Sequence, residues 1–332
     1  MTPGWWMDLG PARIRILTQL RLDEVCDGLR AAGVDPMYSL SRAESAAASD
    51  GRRPCVVHSV GQTASARYAG DDRLLRLTAP PGVLSAASLL YIAYLVLEAE
   101  LNRHSYVTLH AAAVERDGQA VLLLGSAGAG KTTTALRLCR AYGFRLIGND
   151  LVVVGGPDRL QTLAGTKNVR LRHASIVRSM PELTTLFPAR VDDSWRTKVD
   201  VSPDRLGIST NEGRSDIRAV AFVHLNAEYR SLIDDQGDTL VHRLNLYENA
   251  LRYIRAASTP WLVDPGHRFG PYLASFDDPA AHDARTLTLE RLMARSRYVA
   301  GRPDAVAKHF ANLVQHSGVA MPVTATTGRS NT

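Results

Sequence analysis

Val121 to Leu124 is an apolar run that breaks into Gly125-Ser126-Ala127-Gly128-Ala129-Gly130 and ends on Lys131-Thr132-Thr133. The spacing fits G-x-x-x-x-G-K-[ST], in which glycines let backbone N–H groups turn inward around phosphate oxygens at a helix N-terminus. The flanks restrict the fold further, because an apolar strand leads in and Ala135, Leu138, Cys139 and Tyr142 follow at helical spacing. In that geometry the nine residues from Gly125 to Thr133 hold a nucleotide. Lys131 then reaches its β- and γ-phosphates and the Thr132 hydroxyl ligates Mg²⁺.

A length of 332 residues suits about two domains with a real core. The net charge of +6 comes from scattered arginines, with no block of like charge and no interleaved aromatics. That pattern implies a basic surface suited to an anionic ligand and speaks against nucleic acid as a partner. Cys26, Cys55 and Cys139 are too far apart for a metal pair and odd in number, which implies reduced thiols and a cytoplasmic protein. The first residues show no basic stretch ahead of an apolar one, so no secretory signal is expected. Val83 to Leu97 is free of charge for 15 residues, short for a membrane span, and reads as a buried helix reaching Asn102. No membrane partner is expected.

Along the chain, Arg13 to Leu17 reads as a strand and Leu22 to Ala32 as a helix, followed by an exposed loop from Ser39 to Arg53. Cys55 to Val60, Ala64 to Tyr68 and Arg73 to Leu77 read as short strands, so residues 1–104 form a small α+β module. Tyr106 to Val114 reads as one strand, turned by Asp117-Gly118 into the strand that feeds the glycine loop. The loop strand therefore has an antiparallel neighbour, unlike that of a doubly wound nucleotide-binding sheet. Gly143 stops the helix after the loop, and two apolar strands follow, joined at Asn149-Asp150. Further strands are expected at Val169 to Arg172, Thr197 to Val201, Ala219 to Leu225 and Arg297 to Val299. Leu240, Leu244, Tyr247, Leu251 and Ile254 mark a helix from about Thr239 to Ala257, and a terminal helix starts at Pro303. Residues 317–332 form a frayed tail after a domain spanning 105–316. His173, His224 and His242 read as structural, and Asp192-Asp193, Asp234-Asp235 and Asp277-Asp278 as turns.

The stretch from Leu109-His110 through the glycine loop to Asn149-Asp150 resembles the catalytic domain of HPr kinase/phosphorylase and its relatives. Those relatives include small kinases found beside peptide and secondary-metabolite biosynthesis genes. The resemblance is clear over about 106–154 and fainter to Arg297-Tyr-Val-Ala-Gly301-Arg-Pro-Asp304. It implies an α/β P-loop kinase domain with a mixed, largely antiparallel sheet flanked by helices, with ATP and Mg²⁺ as cofactors. It also implies that His110, Lys131 and Asp150 are catalytic, with Thr132 and Asp150 at the metal. Asn149 stands where the family has the first acid of a pair, and its role is open. The long signature by which the family docks the HPr protein is absent, the corresponding region being Gly165-Thr-Lys-Asn-Val-Arg-Leu-Arg172. A small molecule, amino acid or peptide bearing a hydroxyl is therefore the implied acceptor, and self-association is left open.

The residues suit that chemistry on physical grounds as well. Phosphoryl transfer needs in-line positioning, a metal, cations on the γ-phosphate and a group to take the hydroxyl proton. Lys131, Thr132, Asp150 and His110 supply those parts, and Arg170, Arg172, Arg196 and Lys198 are candidates to close over phosphate or an anionic substrate. A guanine-nucleotide switch is the weaker reading, because Asp204-Arg-Leu-Gly207 follows Thr197-Lys-Val-Asp200 instead of preceding it. A nucleotide-bound regulatory or scaffold protein is the other alternative, favoured by Asn149.

Overall fold

The computed structural model describes residues 2–31, 37–43, 53–254 and 273–315. Residues 44–52 of the expected loop, the last residues of the two expected helices ending at Ala32 and Ala257, and the expected tail lie outside the described residues.

The N-terminal part is a six-stranded mixed sheet under two helices. Its elements are β1 (Gly4–Leu9), β2 (Ala12–Leu17), α1 (Leu22–Ala31), β3 (Ser39–Arg42), β4 (Cys55–Val60), β5 (Ser65–Ala69), β6 (Leu74–Ala79) and α2 (Ala86–Arg103). The strand order is β3-β1-β2-β4-β6-β5. One expectation changes here and one strand is new. Ser39–Arg42 is an edge strand paired with β1, and Gly4–Leu9 is a strand whose Trp5, Met7 and Leu9 alternate into the core. The uncharged run becomes α2, capped by the Ser85 hydroxyl, which accepts from Ser88 N at 3.1 Å. It packs between the N-terminal sheet and elements from much later in the chain, including Tyr253 and Phe276, and is buried nearly all round. Among the described residues no helix is long and apolar enough to cross a membrane.

The remainder comprises β7 (Tyr106–Leu109), β8 (Ala112–Arg116), β9 (Gln119–Leu124), α3 (Lys131–Tyr142), β10 (Arg145–Asn149), β11 (Val152–Gly155), β12 (Gln161–Gly165), β13 (Val169–Arg172) and α4 (His173–Ser179). It continues through β14 (Lys198–Val201), β15 (Ser215–Leu225), β16 (Ile233–Gln236), α5 (Leu240–Leu251), α6 (Pro279–Met293), β17 (Ser296–Gly301) and α7 (Pro303–Gln315). Nine of these strands form one mixed sheet, and β13 and β14 pair separately. Asp117 and Gly118 both take positive φ, as a two-residue hairpin turn requires, and β8 runs antiparallel to β9. On its other edge β9 is parallel to β15, which is parallel to β17. Val121 and Leu123 face α3 and α7, while Leu122 and Leu124 face α5 and α6, so β9 is buried on both sides and reads as an unbroken apolar run. The chain is thus a mixed α/β protein whose sheets are flanked by helices.

The single strand expected over Tyr106 to Val114 is two strands. β7 pairs with β11 and β8 with β10, and the ladder breaks at His110-Ala111 on one side and Asp150-Leu151 on the other. The two breaks lie opposite each other, which brings His110 to Asp150. Gly148 serves the same turn, since a Cβ there would sit 2.6 Å from the Gly165 Cα of the crossing strand β12.

Candidate functional site

The glycine loop leaves the end of β9 and enters α3 without a side-chain cap, Gly130 taking the cap position at φ 105°. The first-turn N–H groups of α3 therefore point out with no side-chain acceptor supplied by the cap residue. The loop is tied down from the sheet, as Leu225 N donates to the Ala129 carbonyl at 2.9 Å. A Cβ on Gly130 would fall 2.3 Å from Leu225 Cγ. Gly130→Ala should therefore cost about 2–4 kcal/mol, the sum of left-handed backbone strain and overpacking. A fall in the urea midpoint at unchanged slope checks it; a wild-type midpoint would contradict the close packing.

Lys131 folds back over the loop, donating from Nζ to the carbonyls of Gly125 at 2.7 Å and Ser126 at 3.2 Å. Burial pushes its pKa down, and the Asp150 carboxylate opposes that. The Thr132 hydroxyl donates to Asn149 Oδ1 at 2.9 Å. Asn149 closes β10, is buried, and leaves its Nδ2 without a partner among the described residues. The next residue, Asp150, sits at φ 74°, a left-handed conformation that aspartate and asparagine tolerate better than other side chains. Thr166 holds this turn: its hydroxyl donates to the Asn149 carbonyl and accepts from Leu151 N at 3.2 Å.

Across from Asp150, Asn249 of α5 grips the break in the β7–β8 strand. Its Oδ1 accepts from His110 N at 2.7 Å, and its Nδ2 donates to the His110 carbonyl at 3.3 Å. The Asp150 carboxylate and backbone favour the protonated His110 ring. Burial, with help from the charges of Lys131 and Arg252, pushes the imidazole pKa below its ordinary value of 6.5, so His110 is neutral at pH 7. Below that ordinary value the unfolded chain takes up a proton that folded His110 resists, so this group subtracts stability as the pH falls. The stability difference between wild type and His110→Gln should therefore shift against wild type from pH 7 to pH 5.5. His58 and His309, also depressed by burial, cancel in that difference. Parallel pH curves for the two proteins would refute the buried, neutral ring.

These groups meet in one cleft of about 490 Å³. Of the residues singled out from sequence, it is lined by His110, Ala127, Gly128, Gly130, Lys131, Thr132, Thr133, Asp150, Arg170, Arg172 and Lys198. Gly125, Ser126, Ala129 and Asn149 do not line it. Arg196 stands apart, with a side chain 91% exposed and paired with Asp193 at 3.4 Å. Three participants escaped sequence reasoning: Asn249, and Arg252 and Tyr253, which line the cleft just beyond α5. Of the positions that mark this helix, Leu240 and Leu244 are exposed, while Leu251 and Ile254 are buried together with Leu246 and Ala250, and Tyr247 packs against the core. A polar Asn249 beside that buried stripe was the available signal. Asp200, the residue a guanine-reading motif would need, lies on β14 and is held by Arg170 through two hydrogen bonds of 2.9 Å.

No family model matches the chain. It is similar to HPr kinase/phosphorylase of Limosilactobacillus reuteri strain DSM 20016, at 40% identity over 82 residues covering 24% of this chain and 25% of the relative. The same identity and coverage hold for HPr kinase/phosphorylase of Limosilactobacillus reuteri subsp. reuteri strain JCM 1112. The chain thus matches about a quarter of the length of these relatives. The match is local and supports a distant relationship to that family.

Proposed function

We propose that the chain is an ATP-dependent kinase that transfers the γ-phosphoryl group to a hydroxyl of a small metabolite, amino acid or peptide. The kinase unit comprises residues 105–316, and residues 1–104 form an accessory α+β module. The observation that carries the reading is the paired break in the β7–β8 and β10–β11 ladder, which sets His110 and Asp150 beside Lys131 in one cleft. The nine residues from Gly125 to Thr133 cradle the nucleotide phosphates, with Lys131 leaving its loop carbonyls for the β- and γ-phosphates.

The Thr132 hydroxyl and the Asp150 carboxylate offer oxygen donors only, which suits Mg²⁺, a cation that takes one or two protein groups together with substrate phosphates. When bound, Mg²⁺ neutralises charge on the phosphates. Asn149 holds the Thr132 hydroxyl in position, and Asp150 takes the proton of the acceptor hydroxyl or faces the metal. Neutral His110 sits beside Asp150 without adding a competing positive charge.

A second reading, a nucleotide-bound regulatory protein without transfer, is favoured by one observation: the partner of Thr132 is an amide where an acid would strengthen the metal site. ATP turnover measured against a panel of hydroxyl compounds separates the two. Acceptor-dependent ADP formation supports the kinase, and nucleotide binding with no turnover against any acceptor supports the regulatory reading.

A further inference from the structure

The cleft holds more positive charge than a nucleotide site needs. Lys131, Arg170, Arg172, Lys198 and Arg252 line it, against the single carboxylate of Asp150. Arg170 is neutralised by Asp200. Arg172, Lys198 and Arg252 have no ion pair among the described residues. Arg172 lies over the Trp195 ring at 5.4 Å and donates to the Trp195 carbonyl, and Arg252 lies over Tyr253 at 5.9 Å. A magnesium–nucleotide complex retains only part of the triphosphate charge, and Lys131 with the α3 N-terminus already faces it.

The register of the β13–β14 ribbon sharpens the point. Arg170 is directly opposite Asp200, a favourable cross-strand pair, but Arg172 is directly opposite Lys198. Like charges in that relation destabilise a ribbon, and this ribbon is two strands wide. An anion placed between them converts the repulsion into two charge-assisted contacts. Arg252 comes to the same cleft from the end of α5, while Leu171, Ile176 and Met180 supply an apolar wall beside the cations.

We infer that Arg172, Lys198 and Arg252 form an anion subsite for the phosphoryl acceptor, which therefore carries a carboxylate or phosphate of its own next to an apolar portion. The inference rests on the kinase reading and narrows its substrate class. The nucleotide base and ribose are uncharged and do not account for three cations, and a cationic acceptor would be repelled.

The test uses full-length protein saturated with AMP-PNP and Mg²⁺, titrated with benzoate, phenyl phosphate and benzamide as probes of matched shape. The anionic probe of the right class should bind about tenfold or more tighter than benzamide, the preference between benzoate and phenyl phosphate telling carboxylate from phosphate. Arg172→Gln and Lys198→Gln should each weaken that probe about tenfold while changing AMP-PNP affinity less than about twofold, which also reports that the variants are folded. Equal binding of benzamide, no anion binding to the loaded protein, or variants that lose AMP-PNP affinity instead of probe affinity would overturn the subsite. Failure of wild-type protein to bind AMP-PNP would be a different result, removing the kinase reading on which the subsite depends.

Discussion

Asp150→Asn is expected to bind AMP-PNP with Mg²⁺ nearly as well as wild type and to transfer phosphoryl groups about 10² to 10⁴ times more slowly. The asparagine variant is the informative one because position 150 sits at φ 74°, where asparagine is as comfortable as aspartate. Alanine there would add backbone strain and confuse a catalytic loss with a displaced turn. The turn itself is held by Thr166, through contacts to the backbone of Asn149 and Leu151 that the substitution does not touch. What changes is charge: an amide can neither take the acceptor's proton nor offer a metal a carboxylate. A group needed mainly in the transition state shows its loss in kcat with little change in ground-state binding. Single-turnover transfer from γ-labelled ATP measures it, and undiminished transfer would reduce Asp150 to a turn residue.

The second large effect concerns Lys131→Ala. Its Nζ is the loop's own side-chain cation, and among the described residues its hydrogen bonds go to the Gly125 and Ser126 carbonyls. Removing it breaks no long-range tie, so the fold should survive, while the charge-assisted contact to the β/γ-phosphates disappears. Such a contact is worth about 1.5–3 kcal/mol, roughly a 10- to 150-fold loss of AMP-PNP affinity by calorimetry. Truncation also frees the two loop carbonyls, which can turn to solvent at the cleft mouth. Wild-type affinity in the variant would mean that the phosphates do not lie on this loop.

How much of this was legible depended on the range of the interactions that decide each feature. The loop, α3 and the Asp117-Gly118 hairpin are governed by neighbours in sequence, so glycine spacing and an Asp-Gly pair were sufficient to place them. The break at His110 was not legible, because Tyr106 to Val114 is continuous in pattern. What interrupts it is Asn249, far along the chain, together with the change of partner strand from β11 to β10. Helix α6 was missed for a related reason. Its buried face includes Arg285, which sequence reasoning assigns to solvent but which is held by Asp277 and by Asn102 of α2. Asp278, read as part of a turn, is the N-cap of that helix, accepting from Ala281 N at 2.9 Å. The acidic pair Asp234-Asp235 likewise proved to lie on β16, where Asp234 is held by Arg297. In the site, the residues found from sequence are those of the glycine loop, the strand-break residues His110 and Asn149-Asp150, and the basic residues Arg170, Arg172 and Lys198. Arg252 and Tyr253 lie just past the end of α5, where the spacing of apolar residues that marks the helix says nothing of a cleft.

On the proposed reading, this cleft moves a phosphoryl group from ATP to a hydroxyl. Phosphorus NMR of wild-type protein with ATP, Mg²⁺ and hydroxyl compounds bearing a carboxylate or phosphate observes that event directly. A new phosphomonoester resonance should grow in step with the loss of the ATP γ-signal and the appearance of ADP, and should be absent with Lys131→Ala. ATP left unchanged, or split only into ADP and inorganic phosphate with every acceptor, would contradict it.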